Sequence, residues 1–287
     1  MVERQSARLT QAGVSFGHGT GNAFDEAVWL VLWKLGLPLD DLDGVAGREL
    51  TAQEAMAVQA LIDERIATRK PAAYLTHQAW LQGVPFYVDE RTIVPRSLIA
   101  ELIADPDYSH ALDAWLPAHT RQVLDLCTGN GSLAVLAAMA WPEVSVAAAD
   151  LSADALAVAR INVEQHALAD RIRLHQGDGL AAVAGRRFDL ILCNPPYVNA
   201  VSMAALPPEY RAEPALALAG GRDGMDFVRR LIVRAPRQMT EHAVLVLEIG
   251  HEWPQFDAAF PSLESVWLPT SAGEDQVLLL TREALAR

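Results

Sequence analysis

The sequence predicts an α/β protein: a mostly parallel sheet flanked by helices, preceded by a small helical domain and a β-hairpin linker. Three observations carry this. From residue 121 onward, short apolar runs alternate with helical patterns, as in βα units that line up into a parallel sheet. Before about residue 70 the apolar spacing is helical only. Between the two, residues 74–88 are rich in aromatics and interrupted by Gly83 and Pro85. A chain of 287 residues, 51% of them apolar, can bury two cores.

In chain order, Ala23–Leu35 carries apolar residues at 27, 28, 30, 31, 32 and 35, a broad buried face, with Trp29 and Trp33 read as core. Gly36 and Pro38 end that helix. Thr51-Ala52-Gln53-Glu54 reads as a capping box opening a helix that runs to Arg69, with Pro71 closing it. A hairpin sets Ala79-Trp80-Leu81 against Phe86-Tyr87-Val88. Ile93-Val94-Pro95-Arg96 is extended and Ser97–Ile103 helical. The resulting boundaries are 1–72 for the helical domain, 73–96 for the linker and 97–287 for the sheet domain.

Within the sheet domain, Val123–Leu126, Val144–Ala149, Ile172–Leu174, Phe188–Cys193 and Ala243–Ile249 read as strands. Ser132–Met139, Ala153–His166 and Asp223–Ala235 read as the helices between them. Ser265–Leu268 and Gln276–Leu280 form a closing antiparallel pair.

The net charge is −13, from 23 basic and 36 acidic residues. Such a surface repels phosphate backbones and favours a basic protein partner, so no direct sequence-specific nucleic-acid binding is expected. The first residues lack the apolar core of a signal peptide, and Ala27–Leu32 is too short to span a bilayer. With only two cysteines, Cys127 and Cys193, the reading is a cytoplasmic protein without membrane contact, its thiols buried and inert.

The first motif with chemistry is Asp125-Leu126-Cys127-Thr128-Gly129-Asn130-Gly131, at a strand end that opens a helix. Glycines there let backbone approach a ligand closely. No Gly-Lys-Ser/Thr follows, so it is not a phosphate-binding P-loop, and Ala134 stands where a dinucleotide fingerprint has its third glycine. Asp150, followed by Leu151, ends the next strand, where a carboxylate accepts from ribose hydroxyls. Asp178, within Gly177-Asp178-Gly179, follows the third strand and is placed to meet an adenine amino group. Singly, Asp150 also reads as a helix cap and Asp178 as a turn. In order, the three strand ends read as a nucleoside site whose acidity suits the sulfonium of S-adenosylmethionine, with no metal expected.

Asn194-Pro195-Pro196-Tyr197 follows the Phe188–Cys193 strand and faces the same crevice. A planar NH2 group has its lone pair delocalised into a neighbouring π-system and is a poor nucleophile. The Asn194 oxygen and the Pro195 carbonyl are two acceptors for its hydrogens. Two prolines stiffen the loop, and Tyr197 offers a flat face for stacking. The loop alone does not choose between an amide and a nucleobase amine, and Asn-Pro is also an ordinary turn signal.

These residues resemble the class I methyltransferases, a Rossmann-like fold with a mostly parallel seven-stranded sheet. More narrowly, nearly the whole chain is similar to the glutamine N5-methyltransferases that modify release factors and a ribosomal protein. The resemblance implies that Asp125 and Cys127–Gly131 line the donor, that Asp150 and Leu151 serve its ribose, and that Gly177–Gly179 border its adenine. It also implies that Asn194–Tyr197 hold the glutamine amide and that the helical domain recognises the substrate. Cys127 after Asp-Leu, Gly17-His18-Gly19-Thr20, Tyr74–Trp80 and Leu206–Pro214 resemble the ribosomal branch. That branch implies a glutamine of large-subunit ribosomal protein L3 as target; release-factor and nucleic-acid amine methylation are the alternatives. Asn130 between the loop glycines and His77 in place of a common glycine depart from the family pattern; neither replaces a group the chemistry needs.

Some residues stay open at this level. Glu213-Pro214 and Gly220–Gly224 read equally as a substrate wall or lid and as an ordinary loop with a helix start. Arg96 reads as a ligand for a carbonyl or phosphate or as a linker salt bridge, and His18 as a packed or capping histidine.

Overall fold

The computed structural model describes residues 1–287. Helices Val2–Gln11, Ala23–Leu35 and Ala52–Thr68 pack together at the N-terminus. Local chemistry sets their ends. The Asn22 side chain accepts from the amides of Phe24 and Asp25, both at 3.0 Å, and Gly36 closes the same helix at φ +63°. The capping box is reciprocal: Glu54 N–H donates to Thr51 Oγ1 (3.2 Å) and Thr51 N–H to the Glu54 carboxylate (2.9 Å).

Strand β1 (Ala79–Leu81) pairs antiparallel with β2 (Val84–Phe86), in the register Ala79↔Phe86 and Leu81↔Val84. The expected second strand, Phe86–Val88, is therefore two residues too late. Gln82 and Gly83 both adopt left-handed φ, +50° and +72°. A two-residue turn of that kind matches the twist of its strands and starts the pairing at once.

Seven strands form the main sheet: β3 (Gln122–Leu126), β4 (Ser145–Asp150), β5 (Ile172–Gln176), β6 (Phe188–Cys193), β7 (Met239–Glu248), β8 (Val266–Thr270) and β9 (Gly273–Thr281). Their order is β5-β4-β3-β6-β7-β9-β8, parallel from β5 to β7, with β9 antiparallel to both β7 and β8. The Asp189 carboxylate ties three strands at their base. It accepts from the amides of Arg121 and Gln122 and from the Thr240 hydroxyl, each at 2.9 Å. Alternation along the strands splits the core in two: Val123, Leu190 and Val246 on one face, Leu124, Ile191 and Leu245 on the other. A third cluster, with Leu9, Leu30, Ile62, Tyr74 and Val94, fills the N-terminal part and its linker. No helix is long and apolar enough to cross a membrane.

Three elements of the sheet domain begin three or more residues from the expected position, among them β9, which starts at Gly273 rather than Gln276. The helix forecast at Asp223–Ala235 spans Asp226–Arg234, because Gly224 at φ +82° holds the chain out of the helix and Asp223 accepts from the Met225 amide (3.1 Å). Strand β7 starts at Met239, earlier than Ala243, because Met239 pairs with Phe188.

The chain leaves β3 towards β4 and returns to β6 on the other side. A crevice must open where the winding reverses, above the carboxyl ends of β3 and β6, where Leu126 and Cys193 pair.

Candidate active site

At that crevice lies a cleft of about 450 Å³. One side of its lining is Cys127, Thr128, Gly129, Asn130, Asp150, Leu151, Asp178 and Gly179; the other includes Asn194 and Pro196. Residues from three successive strand ends and from the acceptor loop thus meet in one space. Asp125, Gly131, Pro195 and Tyr197 do not line it.

The glycine loop is held by its own carboxylates. Asp125, 1% exposed, accepts from the Thr128 hydroxyl and from the Ala134 amide (3.0 Å) beneath the loop. Burial pushes its carboxyl up to about 7 against those two hydrogen bonds. It shapes the loop from below rather than facing the cleft. Gly131, at φ +82°, starts the Ser132–Ala140 helix, and a Cβ there would stand 3.1 Å from the Ala159 methyl. Cys127 takes the left-handed region at φ +63° without being glycine, a strained conformation at the cleft wall. Cys127 and Cys193 are free thiols, and burial raises that of Cys193.

Asp150 accepts from the Gly129 amide through one oxygen and from the Ser152 amide through the other, both at 2.9 Å. It ties the loop to the next strand, and each oxygen retains lone-pair capacity for a ligand hydroxyl. Burial raises its carboxyl, opposed by the backbone donors. Asp178 is largely exposed, with the Arg230 guanidinium 3.8 Å away. Phe227 and Arg230 line the cleft beside Asp178 and Gly179, with the guanidinium 5.6 Å from the Phe227 ring centre. Sequence reasoning missed both: they lie on the helix that follows Gly220–Gly224, and nothing in their own spacing marks which face of that helix meets the cleft.

The acceptor loop is positioned from behind. The Tyr197 hydroxyl donates to Glu248 (3.2 Å), and its ring packs so closely on Gly250 that a Cβ there would come within 2.7 Å. Tyr197, expected to stack on substrate, is not part of the cleft lining; its phenol finds its acceptor at the end of β7. Ser97 Oγ (2.5 Å) and the Leu98 amide (2.9 Å) donate to the other Glu248 oxygen. Burial raises the Glu248 carboxyl, against these hydrogen bonds. Asn199 donates to Glu252 through its side chain (2.6 Å) and its amide (3.2 Å). Sequence reasoning missed Glu248; a lone carboxylate closing the apolar run Ala243–Leu247 was the available signal.

The segment after the loop is a wall. Val198 N–H donates to the Leu218 carbonyl and Gly220 N–H to the Val198 carbonyl, both at 2.9 Å. A Cβ on Gly220 would lie 2.7 Å from Tyr197 Cα, so glycine lets the two backbones touch. Leu216, Gly220 and Gly221 line the cleft.

Glu213 anchors that wall to the linker. Arg96 grips it through two nitrogens (2.6 and 2.7 Å), the Val94 amide donates at 2.9 Å, and His18 Nε2 stands 3.6 Å away. Burial would raise the Glu213 carboxyl; His18 and Arg96 outweigh it and hold it at about 2. Arg96 is thus a salt-bridge residue at the cleft edge, and His18, 2% exposed, is packed on Tyr210 with ring centres 4.2 Å apart. Gly17 is required there, since a Cβ would meet the Tyr210 hydroxyl at 2.6 Å. The Gly17–Thr20 and Leu206–Pro214 stretches, distant in sequence, are therefore one contact. Nearby, the buried Glu209 carboxylate accepts from the Ser15 amide and from Arg69, both at 3.1 Å, while Arg65, 3.5 Å away, pairs with Glu26 at 2.8 Å.

The methyltransferase small domain family matches residues 107–206, which include both the glycine loop and the acceptor loop. The chain is 53% identical to the ribosomal protein uL3 glutamine methyltransferase of Bordetella pertussis, over 99% of this chain and 95% of that one. The protein of the same name from Burkholderia pseudomallei is also 53% identical (98% and 92% covered), and that from Neisseria gonorrhoeae 47% (97% and 92%). Among solved structures, the fold is similar to a methyltransferase from Pyrococcus furiosus, with a TM-score of 0.50 at 18% identity over 78% of this chain and 97% of that one. It is also similar to the hMettl16 catalytic domain, with a TM-score of 0.53 at 14% identity over 80% and 81%. At those identities the structures speak for the fold alone, a class I methyltransferase. The near full-length identity to the curated relatives says more: the chain belongs to the family of ribosomal protein uL3 glutamine methyltransferases.

Proposed function

We propose that this chain transfers a methyl group from S-adenosylmethionine to the side-chain amide nitrogen of a glutamine in ribosomal protein uL3. The observation that carries the reading is the meeting of the glycine loop, Asp150, Asp178 and Asn194 on one cleft. The relatives' names supply the substrate.

The residues present fit the donor. Asp150 has lone pairs for ribose hydroxyls, Asp178 and Gly179 border the base beside the Phe227 ring, and the backbone of Cys127–Gly131 leaves room for the rest. Leu151 adds apolar cover at the ribose side. When bound, S-adenosylmethionine supplies an activated methyl group. The chain's own contribution is position. The Asn194 oxygen accepts a hydrogen bond from the amide and turns the nitrogen towards the methyl; Pro195, outside the cleft lining, and Pro196 restrict the loop. Tyr197 acts on that loop through Glu248. Orientation of this kind lowers the barrier without a strong base. Residues 1–72 serve in substrate recognition, 73–96 as the linker and 97–287 in catalysis.

The test is incubation of the purified chain with labelled donor and uL3, followed by mass mapping. One methyl group on a uL3 glutamine is the expected result. Label on a release-factor glutamine instead reassigns the substrate, and label found only in RNA refutes protein methylation.

A further inference from the structure

A second cavity, of about 690 Å³, opens in the N-terminal part, separate from the cleft. Trp29, 7% exposed and part of the N-terminal core, and the half-buried Trp80 both border it; their indoles meet edge to face with centroids 5.6 Å apart and planes at 73°. Val28, Leu39 and Leu42 extend the apolar wall, and Phe24 stands 45% exposed at the edge. The charged lining is acidic only: Asp25 and Asp40, with no lysine, arginine or histidine. Asp25 accepts from the Asn22 amide group at 2.7 Å; neither aspartate has a cationic partner in its own chain.

The accessible part of Trp80, backed by Trp29 and beside two unneutralised carboxylates, makes a niche for a cation. The Trp80 ring attracts positive charge, the carboxylates add to that attraction, and the aliphatic wall suits the methylene stem of a long basic side chain. Arginine fits better than lysine, because a planar, weakly hydrated guanidinium stacks on indole. The occupant's source follows from charge: this chain carries −13, and a protein that resides on ribosomal RNA must carry lysine and arginine against the phosphates.

We propose that the Trp29/Trp80 niche receives a basic side chain, arginine above lysine, of the substrate protein and docks it while its glutamine occupies the cleft. This rests on the uL3 reading, and the test separates the two. Steady-state methylation of uL3 by the full chain is compared with Asp40→Lys and with the double variant Asp25→Asn/Asp40→Asn. The expected result is a KM for uL3 raised about tenfold, as for loss of an aromatic-acidic cation site, with kcat and donor binding unchanged. In parallel, a glycine-spaced arginine peptide is titrated while the indole N–H resonances of Trp29 and Trp80 are followed. Both should shift in the wild type and stay still in Asp40→Lys. An unchanged KM in both variants, with wild-type methylation intact, overturns the niche and leaves the activity standing. If the wild type does not methylate uL3, the peptide decides: Asp40-dependent shifts retain the cation site, and no shift overturns it.

Discussion

The glycine loop and the acceptor loop sit on the same cleft but are held in opposite ways. The glycine loop is stabilised by its neighbours in sequence. Asp125 bonds Thr128 and Ala134, Asp150 at the end of the next strand accepts from Gly129, and Asn162 on the helix that follows donates to the Asn130 carbonyl at 2.8 Å. The acceptor loop leans on groups far along the chain: Tyr197 on Glu248, Asn199 on Glu252, and its backbone on Gly220. The difference teaches that a binding loop can be a local motif, whereas the angle at which a reactive group is presented is a tertiary property.

The largest effect is expected from Asn194→Ala. Turnover should fall about a hundredfold or more, the cost of misorienting a reacting group, while calorimetric affinity for S-adenosylmethionine stays the same. Equal losses in both would erase the division between the two loops. Next, Glu213→Gln removes the buried charge that pins the acceptor-side wall to Arg96 and should cost about 3 kcal/mol in denaturant unfolding. Because the folded Glu213 carboxyl sits near 2, below its unfolded value, its contribution is complete above about pH 4.5. It is lost as the pH falls towards 2. The variant should therefore lose less stability than the wild type across that window; parallel acid-unfolding curves would show that Glu213 does not carry this charge.

On the donor side, Asp150→Ala should weaken S-adenosylmethionine binding by about ten- to a hundredfold through loss of charged hydrogen bonds, with turnover at saturating donor reduced much less. Unchanged affinity would remove Asp150 from the site. The smallest effect concerns Cys127. Glycine and alanine both delete its thiol, but only glycine is at ease at φ +63°, so Cys127→Gly should be about 1 kcal/mol more stable than Cys127→Ala. Equal thermal unfolding of the two variants would mean that the loop's backbone relaxes and carries no strain.

Legibility followed the range of the interaction. The Gly36 stop, the Thr51/Glu54 box and the β3–α–β4 order were readable because each depends on residues a few positions apart. The hairpin was misplaced by two residues because the turn's left-handed Gln82 leaves no mark in composition. Tyr197 was recognised but its orientation was not, since its hydrogen-bond acceptor lies 51 positions away. Phe227 and Arg230 carry no motif, and enter the cleft only because their helix packs beside Gly179.

By itself, the sequence determined the alternation of strands and helices, the glycine loop with its two following carboxylates, and the Asn194–Tyr197 loop, because periodicity and short-range hydrogen bonding are local. Only the tertiary structure decided that Asp125 lies beneath the loop, that Tyr197 faces Glu248, and that Glu213 binds Arg96 beside His18. Those choices are made by burial: a charged or phenolic group shut away from water must find its partner wherever folding brings one.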